Sequence, residues 1–308
     1  MEFLLTILTL VLLTTSTFAQ EGFLSEDYQI FGRKEPISLG SLFSTLGAGN
    51  IFVNPANIAF VTDNRINFGR GESGVGNGMF ISWSAPNLSI SSSTQKVRQF
   101  AGLGVNHEKQ LLHFNFGIST QDLGYEGKNS SLGIGVAVKR QADRLFNLNN
   151  QKIAGGNSVS VDLGLLFKWK QLALEAVILD VNTPKLSDSD VSYGRGFIVG
   201  GRFTTRTGLT IALQGIGGNA YAGSDFGMSF GAQQTFMENR LISRLQLTSF
   251  FTGLEATMQN ISASIGYRLN PKKGTRTFLK DVELSYALSF LALPQNVGTH
   301  LLVLTKYF

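Results

Sequence analysis

The sequence predicts a membrane-spanning, antiparallel all-β barrel, and three observations predict it. Hydrophobic side chains recur at every second position in more than a dozen strand-sized segments. The first twenty residues read as an export signal, and no run after residue 20 is long and apolar enough to be a membrane helix. In one segment Val159, Val161, Leu163, Leu165, Phe167 and Trp169 fall on one face, while Ser158, Ser160, Asp162 and Lys168 fall on the other. A period of two separates these sets across a strand. An exported chain with an oily face and a polar, Gly-rich face is what a barrel in a membrane requires.

Composition agrees. The 308 residues include 35 Gly and 24 Phe, and only 15% are charged. Phe suits a pleated, lipid-facing surface, and Gly suits turns and a crowded interior. The mean hydropathy of +0.09 is too low for a helical membrane protein, but a barrel is oily only at every second residue. The absence of Cys excludes disulfides and thiolate metal sites. The net charge of +5 is spread along the chain, so no nucleic-acid partner is expected.

Residues 1–19 form the expected signal peptide: a short apolar, Thr-rich stretch ending Thr17-Phe18-Ala19, with cleavage before Gln20. Glu2 and the lack of Lys or Arg before the apolar stretch depart from the usual pattern, and an uncleaved anchor is the alternative. Residues 20–62 form a periplasmic lead-in and a hatch segment, and 63–308 the barrel. Within the hatch, the first half of 39–62 is small and apolar without alternation, and Asn54-Pro55 forces a turn, because the residue before Pro is pushed out of helical geometry. A short helix or hairpin ending at Asn54-Pro55-Ala56 is expected.

Strands are expected near 65–70, 78–84, 87–94, 99–107, 110–119, 131–140, 157–169, 171–181, 195–204, 208–216, 225–236, 240–251, 256–268, 281–292 and 298–308. One of these fifteen is a false split, because bacterial single-chain barrels close with even counts, here about 14. Longer polar connections are expected at 120–130, 141–156, 183–194, 217–224 and 270–280. The last is the most basic stretch and reads as a solvated loop, or as a contact for anionic lipid or an acidic partner.

Motifs that could carry chemistry are weak. Gly69-Arg70-Gly71-Glu72-Ser73-Gly74 fits G-x-G-x-x-G, but a turn and a strand follow it where a nucleotide fold needs a helix, so it reads as a loop. His107, His113 and His300 lack the close spacing of a metal motif, and His113 alternates with Phe114 and Phe116, which turns it to the lumen. No G-x-S-x-G elbow is present. Asp162, Lys139, Arg202, Arg244 and Arg268 read as lumenal ion pairs or lumen-wetting groups, since a lipid-facing charge costs roughly 2–4 kcal/mol at mid-membrane. Trp83, Trp169, Tyr193, Tyr221, Tyr267, Tyr286 and Tyr307 fall near segment ends, where an aromatic girdle sits. No catalytic residue, metal or cofactor is expected.

The stretch Leu39-Gly40-Ser41, Leu46-Gly47-Ala48-Gly49 and Asn54-Pro55-Ala56-Asn57-Ile58-Ala59-Phe60 resembles the N-terminal signature of FadL-like outer-membrane barrels, closest to the PorV/PorQ branch. Ser160–Phe167, Ser229–Ala232, Ser264–Arg268 and Leu284–Leu288 with Gly298-Thr299-His300 are similar to later strands of that family. Lys306, two places before Phe308, departs from its usual ending, and the acidic residues often found before Asn-Pro-Ala are replaced by Gly49–Val53. The resemblance implies a fourteen-stranded barrel in the outer membrane of a Gram-negative bacterium of the Bacteroidota. It implies a plug built on Leu46, Gly47, Gly49, Phe52, Asn54, Pro55 and Ala56. Two roles follow: an accessory subunit of a type IX secretion-like machine, docked in outer-membrane lipid on a larger complex, or a transporter of hydrophobic small molecules. An abundant membrane filler and a soluble β-sandwich are the lesser alternatives. Because the 39–60 segment is apolar, an apolar lumen and a hydrophobic ligand are the matching expectation.

Overall fold

The structure, a computed structural model, describes residues 54–73, 76–100, 105–125, 129–147, 149–184, 187, 195–217, 226–237, 240–252, 255–269, 282–291 and 297–308. A six-residue 3-10 turn, Pro55–Phe60, precedes fourteen antiparallel strands. They are β1 (Arg65–Ser73), β2 (Gly76–Ala85), β3 (Leu88–Phe100), β4 (Val105–Ser119), β5 (Ser130–Asn147), β6 (Lys152–Trp169) and β7 (Leu172–Leu179). The second half comprises β8 (Gly196–Thr204), β9 (Leu209–Gly217), β10 (Phe226–Phe236), β11 (Leu241–Thr252), β12 (Glu255–Leu269), β13 (Val282–Leu291) and β14 (Val297–Tyr307). Each strand pairs with its sequence neighbours, and β1 pairs with β14 from Arg65↔Tyr307 to Ser73↔Thr299, which closes the barrel. Closure leaves no sheet edge along these pairings, as a strand protein in lipid requires.

The alternation seen in the sequence becomes an outside and an inside. Phe68, Ile81, Phe116, Ile134, Leu165, Leu213, Phe230 and Leu304 project outward and are exposed. Inward neighbours such as Ser89 (0% exposed), Asn115 (0%) and Asp162 (1%) are closed off from solvent. Tight hairpins join β2 to β3, β6 to β7 and β8 to β9 at the end of the barrel that holds Arg65 and Phe308, here the terminal end. There Asn87 and Lys170 adopt positive φ (66° and 51°), and Gly208 (φ +82°) sits in the β8–β9 turn.

The strands differ in length. β5 and β6 have 18 residues each, whereas β7 has 8 and β8 and β9 have 9. About 9–11 tilted residues suffice to cross a bilayer. The β5–β6 hairpin therefore stands well beyond the membrane at the distal end, and the wall steps down at β7.

Most expected strands lie within three residues of the observed ones; the exceptions run longer. The segment expected at 99–107 is the false split: it straddles the end of β3 and the start of β4. The connection expected at 141–156 is largely strand, because β5 continues to Asn147 and β6 begins at Lys152. Those residues lack an apolar face because they lie past the bilayer. Gly69–Ser73 is not a loop but part of β1. Gly69 is required there, since a Cβ would fall 2.1 Å from the Phe80 ring. The 270–280 connection, the signal peptide and the lead-in lie outside the described residues, as do Tyr193 and Tyr221.

Candidate functional site

The site begins with Asn54 and Pro55. Pro55 opens the 3-10 turn, and Asn54 is extended (φ −121°, ψ 105°), as a residue before Pro must be. The Asn54 side-chain oxygen accepts from the Ala56 N–H at 2.9 Å, a cap that closes the turn. The tripeptide opens this turn, and the helix or hairpin expected to end at it lies outside the described residues. Asn54, Pro55 and Ala56 are buried inside the barrel, while Leu46, Gly47, Gly49 and Phe52 lie outside the described residues.

A shelf of glycines on β4, β5 and β6 receives this segment. A Cβ on Gly135 would lie 2.2 Å from the Pro55 carbonyl carbon, and one on Gly164 would lie 2.2 Å from Asn54 Oδ1. One on Gly117 would meet Ile58 Cγ2 at 2.6 Å, and one on Gly133 the Phe60 ring at 2.5 Å. Only glycine allows so close an approach of one backbone to another. Asn54 Nδ2 also donates to the Leu165 carbonyl (3.1 Å) and to Glu175 Oε2 (3.3 Å). Glu175 in turn accepts from Gln214. Ala56 packs with Leu166 and Ala173, and the Lys168 ammonium lies 3.7 Å above the Phe60 ring. The Asn57 amide is buried with neither its nitrogen nor its oxygen partnered.

The rest of the described lumen is not the apolar cavity expected to match an apolar plug. Following the register around the wall, Tyr307 pairs with Arg65, Arg65 with Ser84, Ser84 with Ser89, and Ser89 with Asn115. The row goes on through Ala137 to Asp162. A second row beside it runs Thr305, Asn67, Ser82, Ser91 and His113, then Lys139 and Ser160. Ala137 is the single apolar residue in either row. Strands in a barrel tilt by about 35–45°, so a row perpendicular to them climbs the wall. These rows start at the terminal end and finish beside Asp180, the residue after the distal end of β7. Apolar inward residues gather elsewhere, as Val177, Leu179, Ile198 and Ala212 on β7–β9.

Charged groups anchor both ends of the rows. At the other end of the rows, midway along β5 and β6 and beside the tip of β7, Lys139 Nζ lies 2.7 Å from Asp162 and 2.9 Å from Asp180, and the Asp180 N–H donates to Asp162 at 2.8 Å. At the terminal end the Tyr307 hydroxyl donates to Glu283 (2.8 Å), with the Arg268 guanidinium 4.1 Å from the Tyr307 ring. Arg244 Nε donates to Gln233 at 2.8 Å. The expected inward placement of Asp162, Lys139, Arg202, Arg244 and Arg268 holds, and the pairing is seen directly at Lys139–Asp162.

Outside, Trp83, Trp169, Tyr267 and Tyr286 are exposed to the bilayer, but Tyr307 turns into the lumen, a correction to the girdle. His300 also faces outward and shares a 2.6 Å hydrogen bond with the Tyr286 hydroxyl. Among the described residues no group of His, Asp or Glu side chains is arranged to hold a metal.

The sequence showed where the tripeptide is but missed the shelf. Its signal is glycine at inward positions of strands whose outward positions are large: Gly133 and Gly135 between Leu132, Ile134 and Val136, and Gly164 between Leu163 and Leu165.

A closed fourteen-stranded antiparallel barrel with the segment Asn54–Phe60 seated against its inner wall defines a class, that of membrane-spanning β-barrels. No protein-family profile and no curated protein match the chain by sequence. Among solved structures it is similar to a deletion mutant of the monoaromatic hydrocarbon channel TodX (TM-score 0.56, 11% identity, covering 85% of this chain and 95% of that one). It is also similar to the monoaromatic hydrocarbon channel CymD (TM-score 0.56, 11% identity, 94% and 99%). A Pseudomonas aeruginosa FadL homologue matches as well (TM-score 0.54, 10% identity, 92% and 99%). At these identities the likeness is one of fold: the chain shares a barrel fold with these channels.

Proposed function

We propose that this protein is an outer-membrane channel for small molecules that carry apolar surface, gated by the segment Asn54–Phe60. The observation that carries the proposal is the glycine shelf. Four glycines on three strands are placed so that a backbone segment can lie flat against the inner wall, held mainly by the Asn54 contacts and the Ala56–Leu166–Ala173 cluster. A segment fixed through so few bonds can leave by breaking them. The channels it resembles in fold conduct monoaromatic hydrocarbons by description, which supports the same broad role. Both chain termini would face the periplasm, which places the β5–β6 hairpin outside the cell.

The accessory role in a type IX secretion-like machine would need a wall shaped for a protein. The exposed wall is a continuous apolar belt that a bilayer covers equally well, so the channel reading is the one carried forward.

The test is conductance in planar bilayers. The full chain should be closed most of the time, and a variant lacking residues 39–60 should conduct steadily. Equal conductance in the two would overturn the gating role.

A further inference from the structure

We infer that the outer wall carries a phosphate-binding cup on the distal part of β5, and that its ligand is the phosphate-bearing lipid A base of lipopolysaccharide in the outer leaflet. The inference rests on the outer-membrane placement of the barrel with both termini periplasmic, and not on the gate.

The outward face of this side changes character at one height. On β5 the outward residues Leu132, Ile134, Val136 and Val138 are followed by Arg140, Ala142 and Arg144. On β4, Ile118, Phe116, Phe114 and Leu112 give way to Gln110 and Glu108. Arg140 is ten residues from Ser130, where β5 leaves the terminal end. At about 3.3 Å per residue and a tilt near 40°, that is a rise of roughly 25 Å, the height of the apolar band of a transmembrane barrel. Arg140 therefore sits at the outer edge of the band, where headgroups begin, and Arg144 stands about 10 Å farther out.

The cup is built around Ala142. Register places Gln110 on one side of it and Asn157 on the other, at the Cβ separation of about 4.5–5.5 Å usual for cross-strand partners. Arg140 and Arg144 stand two positions before and after it on the same face of β5. All four flanking residues are exposed. The small alanine leaves a floor over which two guanidiniums and two carboxamides can close on one tetrahedral group. Glu108 is the one acid on the outward face of β3–β6 among the described residues, and it is engaged by Lys96 (3.8 Å) and Gln110 (3.2 Å). Arg140 and Arg144 have no acidic partner among the described residues, so the cup carries an excess of positive charge.

The ligand follows from this chemistry. A guanidinium presents paired N–H donors that match phosphate oxygens, and each carboxamide adds a donor. A lipid is the matching source of the phosphate, because the cup opens directly above the apolar run that acyl chains cover, with Val138 and Val161 paired just below it. Basic clusters beside a membrane are sites for anionic headgroups. In the outer leaflet of a Gram-negative outer membrane those headgroups are the phosphates of lipid A.

The experiment is native mass spectrometry of the full chain in detergent micelles, titrated with lipid A, with lipid A stripped of its phosphates, and with phosphatidylglycerol. Lipid A should bind at least about tenfold more tightly than either other lipid, the scale of one charge-assisted hydrogen bond. Arg140→Gln with Arg144→Gln should abolish that preference. Arg206→Gln, which removes an exposed cation from the β8–β9 turn at the terminal end, should leave it intact. Heat-dependent gel mobility confirms that each variant forms its barrel. Equal binding of lipid A and its dephosphorylated form, or an equal loss in Arg206→Gln, overturns the cup. Phosphatidylglycerol bound as tightly as lipid A overturns lipid A as its ligand. Neither result bears on the gate, which conductance tests separately.

Discussion

Gly135→Val is the sharpest single test of the shelf. The new Cβ would stand 2.2 Å from the Pro55 carbonyl carbon, 2.3 Å from Ala56 N and 2.4 Å from Pro55 O. These are backbone atoms, which cannot rotate aside. Ordinary contact begins at 3.4 Å, so the segment must lift by about 1.2 Å. That displacement stretches the 3.1 Å bond from Asn54 Nδ2 to the Leu165 carbonyl beyond hydrogen-bonding range. Overpacking costs roughly 1–3 kcal/mol. Leaving the buried Asn54 amide short of its partner costs about 1–3 kcal/mol more. Taking the low end of each, the seated state loses about 2 kcal/mol, which raises the ratio of unseated to seated segment about thirtyfold. Single-channel recording in planar bilayers reads that ratio as the open fraction, and heat-dependent gel mobility confirms that the barrel formed. Gly215→Ala is the control, because its Cβ would meet Val199 only at 3.7 Å. An open fraction unchanged in Gly135→Val with an intact barrel would refute the shelf as the seat of the gate.

Three further outcomes are expected. Lys139→Met leaves Asp162 and Asp180 facing each other in the wall, and breaking a buried ion pair costs about 3–5 kcal/mol; urea unfolding in detergent micelles should show the loss, and adding Asp162→Asn and Asp180→Asn should recover most of it. Ile134→Arg places a charge on the lipid face, at roughly 2–4 kcal/mol near mid-membrane; unaltered folding yield into lipid vesicles would mean that this face does not meet lipid. In the β4–β5 turn, outside the membrane, hydrogen bonds from the Ser119 hydroxyl and N–H hold the Asp122 carboxyl below its ordinary value of 3.8, against a smaller opposing effect of burial. A carboxyl depressed in the folded state stabilises the turn above its unfolded pKa, and that contribution fades as pH falls through the lower, folded value. Proteolysis of the 119–125 turn should therefore rise below about pH 4 and be independent of pH in Asp122→Asn.

Much of the architecture is legible in the sequence because a barrel in lipid repeats one constraint along its whole length. Every outward position between the interfaces must be apolar, so the alternation at Leu163, Leu165 and Phe167, or Leu132, Ile134 and Val136, fixes both the strand and its facing. The same constraint lapses where strands leave the bilayer, which is why the distal halves of β5 and β6 read as loop: no lipid dictates their residues. The inner face carries a weaker code still. Ser84 and Ser91, or Gly135 and Gly164, look like ordinary polar and small residues in a strand. What they do depends on which strands stand beside them and on what lies across the lumen. The Asn-Pro-Ala turn could be found from the restriction that Pro55 places on Asn54, yet its seat could not, since Gly117, Gly133, Gly135 and Gly164 come together only through pairing over distances in sequence far beyond any local pattern. Sequence alone determined that the chain forms strands and which way their apolar faces point, because lipid contact is a rule applied residue by residue. Only the tertiary structure decided that small and hydroxylated residues from β14 through β6 align into rows, because register and tilt belong to the closed barrel and to no single strand.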